Sequence, residues 1–241
     1  MAHTQKPREA LETRVRRQWP GWDDATVESA IVAGQILVDG RVLANPRAQV
    51  APDAPVRHAP PADLAGRQKL GWAIDRFDVI ADGRVALDVG ACTGGFTTAW
   101  LEAGAARVYA LDVGHGQLLG SLRQDARVVD MERTNVADLS AGLITEPVGL
   151  VSVDVSYLAL AAAVVQIAPV PIETGAVLLG LVKPMFELRL ATIPADPPVL
   201  GAACDAAVDG VRAAGWEVLD VDECPVRGGK GAIEFFLHAR R

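Results

Sequence analysis

A chain of 241 residues that is 50% hydrophobic but only 5% aromatic can bury a sizeable aliphatic core, which excludes a disordered or fibrous protein. Its formal net charge of −7 excludes a generally basic polyanion binder, and the acid is unevenly spread: residues 1–60 carry eight basic and seven acidic side chains, residues 61–241 carry 15 and 23. Cys92, Cys204 and Cys224 have no metal-clamp spacing, and the longest apolar stretch, residues 158–170, is interrupted by Gln166 and Pro169; no metal and no membrane span are expected. An odd cysteine count and a charged N-terminus (Lys6, Arg8, Glu9) without an apolar signal core predict a cytoplasmic protein.

Residues 1–58 read as a small α+β module. A charged, partly helical stretch over residues 9–19 is stopped by Pro20-Gly21. A second helix follows, with Asp23 or Asp24 as N-cap, an apolar face at Val27, Ala30 and Ile31, and Gly34 at its end. Two short strands, Ile36-Leu37-Val38 and Arg41-Val42-Leu43, flank a tight turn at Asp39-Gly40. Residues 51–61 (APDAPVRHAPP) predict a proline-rich linker without regular structure. From Leu64 onward the period changes. A helix is predicted over residues 70–77, then strands over 85–89, 107–113, 127–131, 148–153, 176–182, 217–221 and 233–238. Helices over 97–104, 116–123, 158–167 and 201–214 separate most of them. Apolar strands alternating with helices predict an α/β fold over residues 59–241: a doubly wound, Rossmann-like, mostly parallel sheet of seven strands covered on both faces.

The most informative stretch is residues 85–96, VALDVGACTGGF. An apolar strand enters a glycine turn and a helix begins at once, at the carboxyl edge of the sheet where open α/β folds bind ligands. The spacing G-x-x-x-G-G differs from the G-x-G-x-x-G turn that cradles a pyrophosphate. Gly90 allows a sharp exit, Gly94 and Gly95 are expected to let a ligand approach the backbone, and Asp88 is an acidic residue within the strand. Residues Asp88, Gly90, Ala91, Cys92, Thr93, Gly94 and Gly95 therefore form a candidate cradle for S-adenosylmethionine, which has an amino acid end and no phosphate. Asp112, at the end of the next strand, is placed to accept from ribose hydroxyls, with Val113 beside it. Met131 and Glu132 end the third strand, where an adenine would lie. A purely structural βα turn, or a flavin or nicotinamide site, are the alternative readings of the same pattern. Cys92 reads as a space-filling side chain rather than a nucleophile.

Later strands end in polar residues that a structural sheet does not need. Asp154, a candidate contact to the cofactor as well as to the acceptor, follows the fourth strand, and Lys183 the fifth. Glu234 lies inside the apolar last strand, and Lys69 just before the first helix of the large domain. Lysines held among carboxylates at the cofactor edge suit methyl transfer to a hydroxyl, a weak nucleophile whose developing charge needs stabilisation.

These residues carry a resemblance. The runs DVGACTGGFT, VYALDVGHGQL, RVVDMERTN, DVSYLAL, VKPMFE and IEFFLHAR, in this order and spacing, resemble the TlyA (haemolysin A) family. Residues 26–50 resemble that family's αL RNA-binding module. The resemblance implies an FtsJ-type ribose 2′-O-methyltransferase acting on ribosomal RNA or a ribosomal subunit, with a Lys–Asp–Lys–Glu tetrad at Lys69, Asp154, Lys183 and Glu234. It also implies cofactor contacts at Asp88, Gly90, Gly94, Gly95 and Asp112. Against the family pattern, the stretch before and including Lys69 reads Leu64-Ala65-Gly66-Arg67-Gln68-Lys69-Leu70, so the lysine is kept but the usual Ser-Arg is gone; a basic helix start is Asp23-Asp24, a glutamine is Met185, and residues 188–198 carry no lysine. Each change removes polar or cationic surface, so a small-molecule acceptor stands as the second expectation. A membrane-active haemolysin is the remote third.

Overall fold

The computed structural model describes residues 7–39, 41–58 and 65–241. In the N-terminal module, strand β1 (Glu9–Ala10) leads into α1 (Leu11–Gln18), followed by α2 (Asp24–Val32), β2 (Ile36–Val38), β3 (Arg41–Val42), β4 (Gln49–Val50) and β5 (Val56–His58). Asp23 caps α2 by accepting from the Thr26 N–H at 2.8 Å, and Gly34 leaves the helix with φ +68°. Leu11, Val15, Val27, Ile31, Ile36 and Val56 bury the facing sides of these elements in one small core. Strands β2 and β3 pair antiparallel, as expected for a hairpin; Gly40 of its turn lies outside the described residues.

One expectation fails here. The 51–61 segment is not wholly irregular, because β5 pairs antiparallel with β2, Val38 opposite Val56. Pro52 and Pro55 precede the strand rather than lying in it: Pro55 needs no N–H where it sits, and its carbonyl accepts from the Asp39 N–H at 3.1 Å. Residues 59–61 of that segment lie outside the described residues.

The large unit begins with α3 (Ala65–Arg76) and continues through β6 (Val85–Val89), α4 (Gly95–Glu102), β7 (Arg107–Asp112), α5 (Gly120–Gln124), β8 (Val128–Glu132), β9 (Val148–Val153) and α6 (Leu160–Gln166). Then come β10 (Ile172–Val182), α7 (Pro184–Glu187), α8 (Pro197–Ala213), β11 (Glu217–Glu223) and β12 (Phe235–Arg240). Seven strands form one sheet in the order β11-β12-β10-β9-β6-β7-β8. The pairs among β10, β9, β6, β7 and β8 are parallel, and β12 lies antiparallel between β10 and β11. The α/β class and doubly wound sheet follow from alternation within each strand: Leu87 and Val89 pack on one face with α6 and α8, Ala86 on the other with α3 and α4.

Several element boundaries move, and three of these shifts bear on the site. Lys69 lies within α3, not before it, because the helix starts at Ala65. Glu234 precedes the last strand, which begins at Phe235; the Glu234 carbonyl accepts from the Cys224 N–H at 2.9 Å. The helix expected from residue 116 starts only at Gly120. The N–H groups of Gly116, Gln117 and Leu118 are captured by the Glu132 carboxylate at 2.9, 2.7 and 3.1 Å, which holds that segment as a loop. The module rests on this region: Val32 packs on Gly120, and Arg123 donates to the Ala44 carbonyl at 3.4 Å.

Candidate active site

From β6 the chain turns through α4 to β7 on one side, while β9 leads away on the other. The carboxyl ends of β6 and β9 are thus the switch point of the sheet, where a crevice opens. The two strand ends are locked together: the Asp154 N–H donates to the Val89 carbonyl at 2.8 Å. Gly90 follows with φ +91°, and a Cβ there would stand 2.2 Å from the Asp154 carbonyl oxygen. Only glycine fits the conformation and the approach.

A cleft of about 200 Å³ opens above this junction, lined by Val89, Gly90, Cys92, Leu111, Asp112, Val113, Asp154, Val155, Ser156 and Tyr157. Of the residues expected to hold the cofactor, Gly90, Cys92, Asp112, Val113 and Asp154 line it. Asp112 accepts from the N–H groups of Cys92 at 2.8 Å and Gly114 at 2.6 Å, tying the first glycine turn to the second strand's exit.

The other expected cofactor residues do not line this cleft, and each has partners within the fold. Asp88 is fully buried: Thr97 and Ser152 hydroxyls donate to its two oxygens at 2.7 and 2.9 Å, and the Trp100 indole N–H donates to Ser152. Burial pushes its carboxyl up to about 7 against the pull of those hydroxyls. Asp88 thereby clamps β6, α4 and β9 together. A Cβ at Gly94 would strike Leu122 at 2.1 Å, and one at Gly95 would meet Gly66 and Arg67 of α3 at 2.9–3.0 Å. At these two glycines the space a side chain would need is taken by α5 and α3. Ala91 is buried in the core under α4, and the Thr93 carbonyl accepts from the Leu119 N–H at 3.3 Å. Met131 is a core residue, packed with Leu111 and Val136. Glu132 is saturated by the three loop N–H groups, which outweigh burial and keep its carboxyl below the usual range.

Lys69, Asp154, Lys183 and Glu234 come together as two ion pairs. Lys183 Nζ lies 2.5 Å from Asp154 Oδ1 and donates to Ser156 Oγ at 2.9 Å. Lys69 Nζ lies 2.5 Å from Glu234 Oε2, with both side chains buried. Lys69, Lys183 and Glu234 line a second, larger cavity of about 590 Å³, whose other wall is apolar: Met185, Phe186, Ile193 and Pro194. Ser156 lines both spaces. The structure thus joins a small cleft at the switch point to a roomy cavity, with the Lys183–Asp154 pair across the junction. Sequence reasoning missed Ser156 and Tyr157, whose only signal was adjacency to Asp154, and the apolar wall, which comes from residues 184–194 folding over the sheet edge. Among the described residues no His, Cys, Asp or Glu group could hold a metal ion, and no helix is long and apolar enough to cross a membrane.

Comparison with known proteins bears on this geometry. The FtsJ-like methyltransferase family model matches residues 66–241. A 16S/23S rRNA (cytidine-2′-O)-methyltransferase TlyA from Mycobacterium tuberculosis is 35% identical over 219 residues, covering 87% of this chain and 81% of its own. Hemolysin A of Brachyspira hyodysenteriae is 31% identical, covering 88% of this chain and 91% of its own. The solved structure of a candidate hemolysin from Streptococcus thermophilus aligns with a TM-score of 0.71 at 27% identity, covering 98% of this chain and 89% of that one. On this match across the sheet, the switch-point cleft and the paired lysines, the chain belongs to the FtsJ-like methyltransferase family.

Proposed function

We propose that the protein transfers a methyl group from S-adenosylmethionine to a ribose 2′-hydroxyl of ribosomal RNA, presented free or within a ribosomal subunit. The observation that carries this reading is the Lys183–Asp154 pair at the junction of the two cavities. The small cleft suits the cofactor. Gly90 keeps its floor free of side chains, and Asp112 and Asp154 supply acceptors for ribose hydroxyls and for positive charge. Bound there, S-adenosylmethionine supplies a sulfonium-activated methyl group. The chain's own residues orient and stabilise. Asp154 and Ser156 hold Lys183 Nζ. As the oxygen–methyl bond forms and the sulfur–methyl bond breaks, the hydroxyl proton is released to water in the open cavity, and the Lys183 N–H bonds would stabilise the negative charge on the oxygen while that proton leaves. The buried Lys69–Glu234 pair walls the other side of that position with a fixed dipole. In-line placement of oxygen and methyl contributes the rest.

The name of the M. tuberculosis relative supports the ribosomal RNA acceptor, and the matched family supports methyl transfer. The apolar wall of the cavity favours the second reading, a small-molecule acceptor. Incubation with labelled cofactor and either purified ribosomal subunits or naked ribosomal RNA decides between them. Label at one ribose, located by mass spectrometry of nuclease fragments, is the expected result. Intact cofactor binding with no label in any RNA would overturn the RNA reading.

A further inference from the structure

The loop Arg227-Gly228-Gly229-Lys230-Gly231-Ala232 stands over the large cavity and has no part in the chemistry just described. Its backbone is pressed against the tetrad: a Cβ at Gly228 would lie 2.2 Å from Glu234 Oε1, and the Gly228 N–H donates to the Ala232 carbonyl at 2.9 Å. Lys230 sits at the tip with φ +58°, ψ +25°, the left-handed region that non-glycine side chains rarely adopt, between two glycines that could have taken it freely.

Four charged side chains line the cavity: Lys69, Lys183, Lys230 and Glu234. Lys69 is paired with Glu234 and Lys183 with Asp154. Arg227, the loop's other cation, is held by Glu223 at 2.8 Å. Lys230 alone of the four lining charges makes no ion pair or side-chain hydrogen bond among the described residues. The cavity therefore carries a surplus positive charge in a chain whose net charge is −7, and that surplus is concentrated on one exposed ammonium beside the reacting groups. A free cation in a strained position has a cost with no structural return within the chain.

We propose that Lys230 is a phosphate-binding residue that holds the phosphodiester next to the acceptor ribose, making it a specificity determinant for nucleotide acceptors. The proposal rests on the RNA reading of the same site. In a polynucleotide every ribose 2′-hydroxyl is flanked by a phosphate within one sugar's reach, so a hydroxyl held at Lys183 brings an anion to the cavity rim. The ammonium recognises it as a point charge without selecting a base.

The test compares the full-length protein with K230G, which removes the charge and relieves the backbone, and K230R, which keeps the charge. Binding of a fluorescein-labelled single-stranded RNA oligonucleotide is followed by anisotropy across a salt series, alongside labelled methyl transfer to ribosomal RNA. K230G is expected to bind the RNA about threefold to tenfold more weakly, and its slope of log affinity against log salt to fall by about 0.7, the loss of one single-strand phosphate contact. K230R should restore both, and calorimetric cofactor binding should be the same in all three. Equal affinity and slope in K230G and the parent would overturn the phosphate role, whatever the transfer result. A Lys230-dependent slope without methyl transfer to RNA would uphold the anion site and overturn the acceptor reading. A parent protein that binds no RNA would overturn both.

Discussion

Asp88 makes a quantitative test of how the site is supported. Its carboxyl is fully buried and is pushed from an ordinary 3.8 to about 7, chiefly by desolvation, with Thr97 and Ser152 opposing. The folded carboxyl thus keeps its proton up to about pH 7, whereas the unfolded chain releases it near 3.8. Between those values the folded state binds more protons, so stability falls as pH rises through the window and levels above it. At about 1.4 kcal/mol per pH unit, the whole gap corresponds to about 4 kcal/mol, more than half of it between pH 5 and pH 8. Asp88→Asn is neutral throughout and still offers two hydrogen-bonding atoms to the hydroxyls. Urea unfolding of both proteins from pH 5 to pH 8 isolates the effect, since all other titrations cancel in the difference. The stability of Asp88→Asn relative to the parent is expected to rise by about 2–3 kcal/mol across that range, with cofactor affinity unaltered because Asp88 does not line the cleft. Parallel stability curves for the two proteins would refute the account of Asp88 as a buried, largely protonated clamp.

Other perturbations follow from the same geometry. Lys183→Ala should lower the transfer rate by about 10²- to 10³-fold in single-turnover assays, with cofactor affinity retained; unchanged turnover would remove Lys183 from the chemistry. Gly90→Ala places a methyl group 2.2 Å from the Asp154 carbonyl at φ +91°, and should abolish calorimetric cofactor binding and cost about 3 kcal/mol of stability. Glu132→Ala strands three loop N–H groups and should cost about 1–3 kcal/mol in chemical unfolding. Ile31→Ala, in the fully buried centre of the N-terminal module, should cost about 2–5 kcal/mol, read from hydrogen exchange within residues 11–56.

The pattern of residues determined a good deal by itself. Apolar strands alternating with helices dictate a parallel sheet, because buried strands must be apolar on both faces while crossover helices cover them. The order of Asp112, Asp154 and Lys183 at strand ends places them at one edge, since every parallel strand ends on the same side. Gly90 was legible because a strand-to-helix exit that sharp needs its conformation. The rest was decided by contacts between residues far apart in the chain. Asp88, Gly94, Gly95, Met131 and Glu132 carry the same cofactor expectation but face Ser152, Leu122, α3, the core and the 116–118 loop, and no local spacing records which neighbour arrives. Val56 found a partner in β2 despite its prolines, because an edge strand needs only half its backbone groups paired. Lys69 meets Glu234 across 165 positions of sequence, and the loop that carries Lys230 lies on the same cavity only because β12 inserts antiparallel between β10 and β11. The sequence supplied the reacting groups; the packing of the sheet and its crossovers chose which of them face the same space.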